Sequence, residues 1–326
     1  MAPESSKQTC FDIFSLPDTS NAEIDFLETS FFHSSALLSP QLPAPAKVLK
    51  ENPQLEEGVA IYEKLNLAVK FGGPSYLRLE EAQTMRAVKR AFPNNEVPVP
   101  EVFGWRRYGD KCFIYMSLIP GKTLREGWPA LTEVDKKSIC NDLAQIIAAL
   151  RQVSQGSSNT FIGTQFTSFE SRSHSLSKLT TLIGSIIHGT IQDRFFQHDY
   201  EDGPFTTVKS FNDWLLAAAT RTRPGPEGIT GPYRDLLPDT GHVYFTHGDL
   251  TLGNIIISGG TNSQRIVGIV DWEQAGWYPE YWEYCKLLYG VEYTHEWRSA
   301  GWAETITERY ETEWFAFAEY SSWRCP

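Results

Sequence analysis

The sequence predicts an α+β protein in two lobes, a β-rich first part and a mainly helical second part. Short alternating runs rich in β-branched residues crowd the stretch before Pro120-Gly121. A helical apolar period opens soon afterwards, at Thr132. The chain has 326 residues, room for two lobes at roughly 100–200 residues each. Hydrophobic residues make up 41% and charged residues 21%, the balance of a packed globule and not of a disordered chain.

Each element can be argued in order. Residues 1–46 end in SPQLPAPAK, where Pro40, Pro43 and Pro45 predict an extended lead-in. GVAIYEKLNLAVKFG (58–72) alternates as two strands of a hairpin, with Lys64-Leu65-Asn66 as its turn. Gly72-Gly73-Pro74 then leads into a helix over about Ser75–Ala91. Ser75 is its N-cap, Ala82, Met85 and Val88 share one face, and Pro93 stops it. EVPVPEVFGW and KCFIYMSLIPG read as further short strands, and the lobe boundary falls at Pro120-Gly121. A long helix follows over Thr132–Val153, with Thr132 and Asp135 spaced as a capping box and Ile139, Leu143, Ile146 and Leu150 as its stripe. The polar stretch Gln155–Ser177 has no readable path. A helix over Phe211–Ala219 carries Ser210 and Asp213 in the same capping arrangement. The loop Thr222–Asp239 is rich in Pro and Gly, and the chain from Gly276 reads as helical and dense in aromatic residues.

Charge and cysteine usage narrow the function. The chain has 29 basic and 40 acidic residues, a net charge of −11. That excludes the basic face a nucleic-acid binder needs and suits a cationic substrate. Cys10, Cys112, Cys140, Cys285 and Cys325 are odd in number and widely spaced, with no C-x-x-C pair. They read as reduced thiols of a cytoplasmic protein and not as a zinc site. MAPESSKQTCFDIF lacks the apolar segment of a secretory signal. LAQIIAAL (143–150) is far shorter than the ~20 residues of a membrane span. No membrane partner is expected, and the oligomeric state is left open.

The chemistry concentrates in HVYFTHGDLTLGNIIISGGTNSQRIVGIVDWEQAG (242–276). Val243–Thr246 reads as a strand feeding the loop HGDLTLGN. Ile255–Ile257 and Ile266–Val270 read as antiparallel neighbours around SGGTNSQR. Asn254 enters the first of these strands and Asp271 leaves the second, with their midpoint between Asn262 and Ser263, so the two should meet at one end of the hairpin. The loop bearing Asp249 enters there too. A carboxylate and an amide oxygen with water make a magnesium site completed by phosphates. Asp249 is then left as a base for an incoming hydroxyl, the division of labour of phosphoryl transfer. Metal-dependent phosphate hydrolysis by the His247/Asp249 pair is the rival chemistry, but the second cluster of ligands that two-metal enzymes need is missing.

HGDLTLGN followed by IVDWE resembles the catalytic core of the aminoglycoside-phosphotransferase family, a branch of the protein-kinase-like fold, and is similar above all to its fungal members. DWEQAGWYPEYWEY, MSLIPGKTL, EVPVPEV and LPAPAKV share the likeness, which covers about residues 40–290. The resemblance implies an N-terminal lobe over 1–115, a hinge over 116–122 and a catalytic and substrate lobe over 123–326. It also implies an ATP- and magnesium-dependent phosphotransferase acting on a hydroxyl of a small molecule. Position by position, Asp249 becomes the catalytic aspartate, Asn254 and Asp271 the magnesium ligands, and Lys70 in LAVKF the lysine that pairs with phosphates. Glu81 in LEEAQTMRAV becomes its holder. Backbone groups of Ser117 and Ile119 would take adenine, and His247 would support the catalytic loop.

Residue chemistry speaks to part of this. Lys70 lies between Val69 and Phe71, so its ammonium must snorkel or pair. Glu81 is a candidate partner, though Glu80 is adjacent and spacing does not choose between them. Two features depart from protein kinases. ENPQLEEG stands where a glycine-rich loop would cover the phosphates, and no Lys or Arg lies between Asp249 and Asn254. A catalytically inactive binding or scaffold protein is therefore the alternative function. On the substrate side, residues 276–326 hold more than half of the tryptophans and an excess of acidic residues. Helix packing explains these, and so does a pocket for an amine-bearing molecule. Glu273 and Glu280 are the candidate substrate carboxylates, and Glu283 is equally a structural partner.

Overall fold

The computed structural model describes residues 9–33, 40–155, 181–193, 203–222, 229–259 and 264–324. Cys325, the polar stretch from 156 to 177, residues 223–228 of the Pro/Gly-rich loop and the hairpin midpoint at Asn262 and Ser263 lie outside them. Glu23–Asp25 (β1) opens the chain's first sheet, and Pro45–Glu51 (α1) follows. The extended lead-in is thus cut short: Pro45 sits in the first turn of α1, where its missing N–H costs nothing, and α1 buries Val48. Gly58–Tyr62 (β2) and Leu67–Gly72 (β3) form the expected hairpin around the 3-10 turn Glu63–Leu65 and a left-handed Asn66 (φ 48°).

The helix expected from Ser75 begins five residues later, as Glu80–Ala91 (α2). Gly73 O instead accepts from Tyr76 N and Leu77 N, a turn that buries Leu77 and Leu79 before the helix starts. Val102–Tyr108 (β4) and Lys111–Ser117 (β5) complete a five-stranded antiparallel sheet in the order β1-β4-β5-β3-β2. Side chains alternate across it. Leu67, Val69, Phe71, Phe113 and Tyr115 pack with Val48 on the outer face. Ala68, Ile114 and Met116 face the main core, and the same period turns Lys70 inward.

Lys122–Thr123 (β6) leads to the one-turn helix Leu124–Gly127 (α3) and the long helix Glu133–Arg151 (α4), which Thr132 and Asp135 close with the expected reciprocal capping bonds. Val208–Thr220 (α5) is capped by Thr207 and Ser210, not by Ser210 and Asp213. Asp213 is buried on that helix and accepts from Arg234 Nε at 2.7 Å. Val243–Thr246 (β7), Ile255–Ile257 (β8) and Ile266–Ile269 (β9) lie where expected. The chain after Gly276 opens as a strand and not a helix: Gly276–Pro279 (β10) pairs antiparallel with β7, and Gly184 bridges Trp277 from its other side. Trp282–Tyr289 (α6), Glu296–Ser299 (α7) and Glu311–Arg324 (α8) end the lobe.

One apolar cluster holds residues of α2, α4, α5, α6 and α8 together with Leu250 and Trp272, so the lobes share a core. The architecture is the α+β one expected, with a five-stranded antiparallel sheet in the first part of the chain and most of the helices in the second. Among the described residues no helix is long and apolar enough to cross a membrane.

Candidate active site

Lys70 is the meeting point of the lobes. Its inward register on β3 leaves the side chain 5% exposed, and its Nζ lies 2.8 Å from Glu81 Oε2, 2.6 Å from Asp271 Oδ1 and 3.5 Å from Glu273 Oε2. The structure thus selects Glu81 over Glu80. Burial by itself would depress the Lys70 ammonium, but the charges of Glu81, Asp271 and Glu273 outweigh it and hold the group above the ordinary lysine value. Carboxylate oxygens of Glu81, Asp271 and Glu273 lie within 4.8 Å of one another. Glu81 Oε1 is buried with no hydrogen-bond partner. Three carboxylates around one ammonium leave excess negative charge, and their oxygens suit a hard cation.

Asp271 reaches Lys70 because the backbone turns there. Its φ of 65° is left-handed, a conformation aspartate tolerates, and it throws the chain from β9 into the 3-10 turn Trp272–Gln274. The hairpin register differs by one residue from the expected one. Ile255 faces Ile269, a bulge follows between Ile256 and Ile257, and Val270 N, not Asp271, bonds Asn254 O at 2.9 Å. The left-handed turn compensates for that slip by redirecting the Asp271 side chain.

The loop between β7 and β8 is fixed from within. Asn254 Nδ2 donates to Asp249 O and to Asp249 Oδ2, both at 2.9 Å, which leaves the Asn254 amide oxygen for another partner. Gly248 has φ 76°, and a Cβ there would approach Gln274 O to 2.9 Å, so the turn needs glycine. His247 is fully buried. Its Nδ1 accepts from Asp249 N at 3.2 Å, its Nε2 faces Val270 O at 3.2 Å, and its ring meets Trp272 edge-on at 4.5 Å. Burial pushes the imidazole down to about 4, so both nitrogens serve as a neutral brace. That setting leaves His247 no free nitrogen for the hydrolytic chemistry considered above.

Of the group beneath this loop, sequence reasoning named Glu283, as a structural partner, and missed Lys286 and Asp193. Glu283 Oε2 accepts from His247 N at 2.8 Å and Gly248 N at 3.4 Å. Burial raises its carboxyl to about 7, against the pull of those two amides. Lys286 Nζ pairs with Asp193 Oδ2 at 2.9 Å and donates to Gln274 Oε1 at 3.2 Å. Burial pushes the Asp249 carboxyl up, and Lys286 is the foremost charge drawing it back. Two polar residues three apart on the apolar helix WEYCKLLY were a readable signal. Asp193 gave none.

The other expected residues fall as follows. Glu273 joins the Lys70 cluster. Glu280 stands apart: β10 runs away from the loop, Glu280 N bonds His242 O at 2.9 Å, and His242 lies five residues, roughly 15 Å of strand, before His247. At the end of β5, where the hinge is expected, Ser117 N donates to Glu101 O and Ser117 Oγ accepts from Glu101 N, both at 2.9 Å. The Ser117 carbonyl is thereby left out of that pairing. Ile119 packs its side chain against Gly268 of β9.

A model of the "Phosphotransferase enzyme family" matches residues 63–320. No curated protein matches the chain. Among solved structures, a thermostable mutant of aminoglycoside phosphotransferase APH(4)-Ia with AMP-PNP and hygromycin B is 15% identical, with 78% of this chain and 76% of that chain covered at a TM-score of 0.46. Aminoglycoside phosphotransferase APH(3'')-Id from Streptomyces rimosus, with ADP and streptomycin, is 13% identical, with 87% and 99% covered at 0.42. The gentamicin complex of APH(2'')-IIa is 14% identical, with 86% and 83% covered at 0.41.

Proposed function

Because the chain belongs to the phosphotransferase enzyme family, we propose that it transfers the terminal phosphoryl group of ATP to a hydroxyl of a small molecule. The observation that carries this reading is Lys70, on β3, held by Glu81 of α2 at 2.8 Å and facing Asp271 of the other lobe at 2.6 Å. A fixed ammonium beside a cation-ready carboxylate suits a bound polyphosphate. Asp249 would orient the acceptor hydroxyl and take its proton. The hydroxyl oxygen then bonds to the γ-phosphorus, the bond from that phosphorus to the β–γ bridging oxygen breaks, and ADP leaves.

The Asn254 amide oxygen and Asp271, with Glu273 beside them, would hold magnesium, which supplies neutralisation of phosphate charge when bound. The Ser117 carbonyl and Ile119 amide at the hinge would hold adenine. Glu273 and Glu280 no longer form a common carboxylate wall, so the acceptor is defined here by its hydroxyl alone.

Calorimetry with ATP and magnesium, together with ADP release across a panel of aminoglycosides, amino alcohols and hydroxylated metabolites, tests the proposal. Asp249→Asn should lower transfer by about 100-fold or more and leave nucleotide affinity within a few-fold. A chain that binds no nucleotide would instead be the non-catalytic scaffold.

A further inference from the structure

Helix α6 turns one face toward the catalytic loop. At its start Glu283 holds the amides of His247 and Gly248. Gly290, just past its end, lies against Thr251, where a Cβ would come within 3.0 Å of Thr251 Cγ2. Lys286 lies between them, three residues after Glu283 and four before Gly290, and so on the same face. Its place is therefore beneath the segment from Gly248 to Thr251, which contains Asp249.

The ammonium is anchored there. Its side chain is 4% exposed, Asp193 lies 2.9 Å away, and Gln274 Oε1 accepts at 3.2 Å. Gln274 in turn packs its carbonyl against Gly248. An ammonium has three N–H donors, and two are assigned. A buried lysine is costly unless it is paired, and this one sits under a loop with no Lys or Arg between Asp249 and Asn254.

We propose that Lys286 is a positioning residue for Asp249. From α6 it supplies the fixed positive charge that the catalytic loop lacks, and it holds the Asp249 carboxylate toward the acceptor hydroxyl. The inference rests on the phosphotransfer reading above. The rival role is a mere counter-ion for Asp193.

The test uses the full chain with magnesium and ATP, with water as acceptor and ADP release as the readout. Lys286→Met and the double variant Asp193→Asn/Lys286→Met are compared with the parent for kcat, KM for ATP and Tm. Lys286→Met should lose stability, because the buried Asp193 carboxylate loses its ammonium partner, and the double variant should regain it. In both, kcat should fall at least tenfold with KM for ATP within twofold. A double variant whose kcat lies within threefold of the parent reduces Lys286 to a counter-ion and overturns the proposal. So does a rise in KM with kcat unchanged. If the double variant does not regain stability, Lys286→Arg decides. It keeps the charge and should stay within fivefold in kcat, and a tenfold loss at unchanged Tm overturns the proposal. A parent that releases no ADP with water is compared with its variants on whichever hydroxyl compound of the panel gives release, under the same criteria. Release with none of them removes the catalytic reading, whereas a competent parent leaves the role of Lys286 to be decided by the variants alone. A parent that binds neither removes the nucleotide reading itself.

Discussion

Lys70 and Asp271 illustrate how a site residue is made by its surroundings. Either one on an open surface would contribute little, since exposed ion pairs are worth about 0–1 kcal/mol. Here the lysine is buried and three carboxylates converge on it. Asp271→Ala should reduce the magnesium-dependent part of ATP affinity at least tenfold, measured by calorimetry with and without the metal; equal affinities in parent and variant would remove Asp271 as a ligand.

His247 and Glu283 make a second residue-scale prediction, because their protons move in opposite senses. The imidazole is held down at about 4 against an ordinary 6.5. Between those values the unfolded chain binds the proton and the folded one does not, so its contribution, on the order of 3 kcal/mol, is present above pH 6.5 and lost as pH falls toward 4. The Glu283 carboxyl is raised from 4.5 to about 7. Its contribution is complete below 4.5 and is lost as pH rises through 7. The two partly cancel, so Glu283→Gln should steepen the loss of stability between pH 7 and pH 4.5 in urea unfolding. Identical slopes for parent and variant would contradict this account.

At the scale of elements, local signals were strongest where a side chain closes its own backbone. Thr132 and Asp135 cap α4 as their spacing indicated, and Thr132→Ala should cost about 1 kcal/mol in urea unfolding, with a change below a few tenths counting against the cap. Signals were weaker where burial overrides propensity. Asp213 had the spacing of a cap partner but is drawn inward by Arg234. Gly276–Pro279 lies in an aromatic run that favoured a helix, yet β7 on one side and Gly184 on the other claim its backbone. The hairpin that carries Asn254 was legible, but its bulge and the left-handed turn at Asp271 were not, since a one-residue slip leaves no mark on composition.

At the scale of the molecule, the two lobes meet over one apolar cluster. Pro98 O accepts from Ile269 N at 2.7 Å, and the Arg78 side chain donates from Nη2 to Gln192 O at 3.3 Å, so hydrogen bonds also tie the lobes together. A ligand gripping Lys70 and Asp271 would engage both lobes. ATP with magnesium at 100 times its Kd should add about 2.7 kcal/mol, a rise of roughly 5 °C in Tm by scanning calorimetry. Asp271→Ala should abolish most of that rise; a full shift in the variant would place the binding energy elsewhere.

The α+β division, the strand lysine, the HGDLTLGN loop and its returning strand were all written in short stretches of chain, because periodicity, capping and turn chemistry act over a few residues. Folding settled which glutamate meets Lys70, that Glu273 joins it while Glu280 is carried away, and that Asp193 and Lys286 lie under Asp249. Those pairings join residues tens to hundreds of positions apart, and buried charge selects its partner through space, where spacing along the chain carries no information.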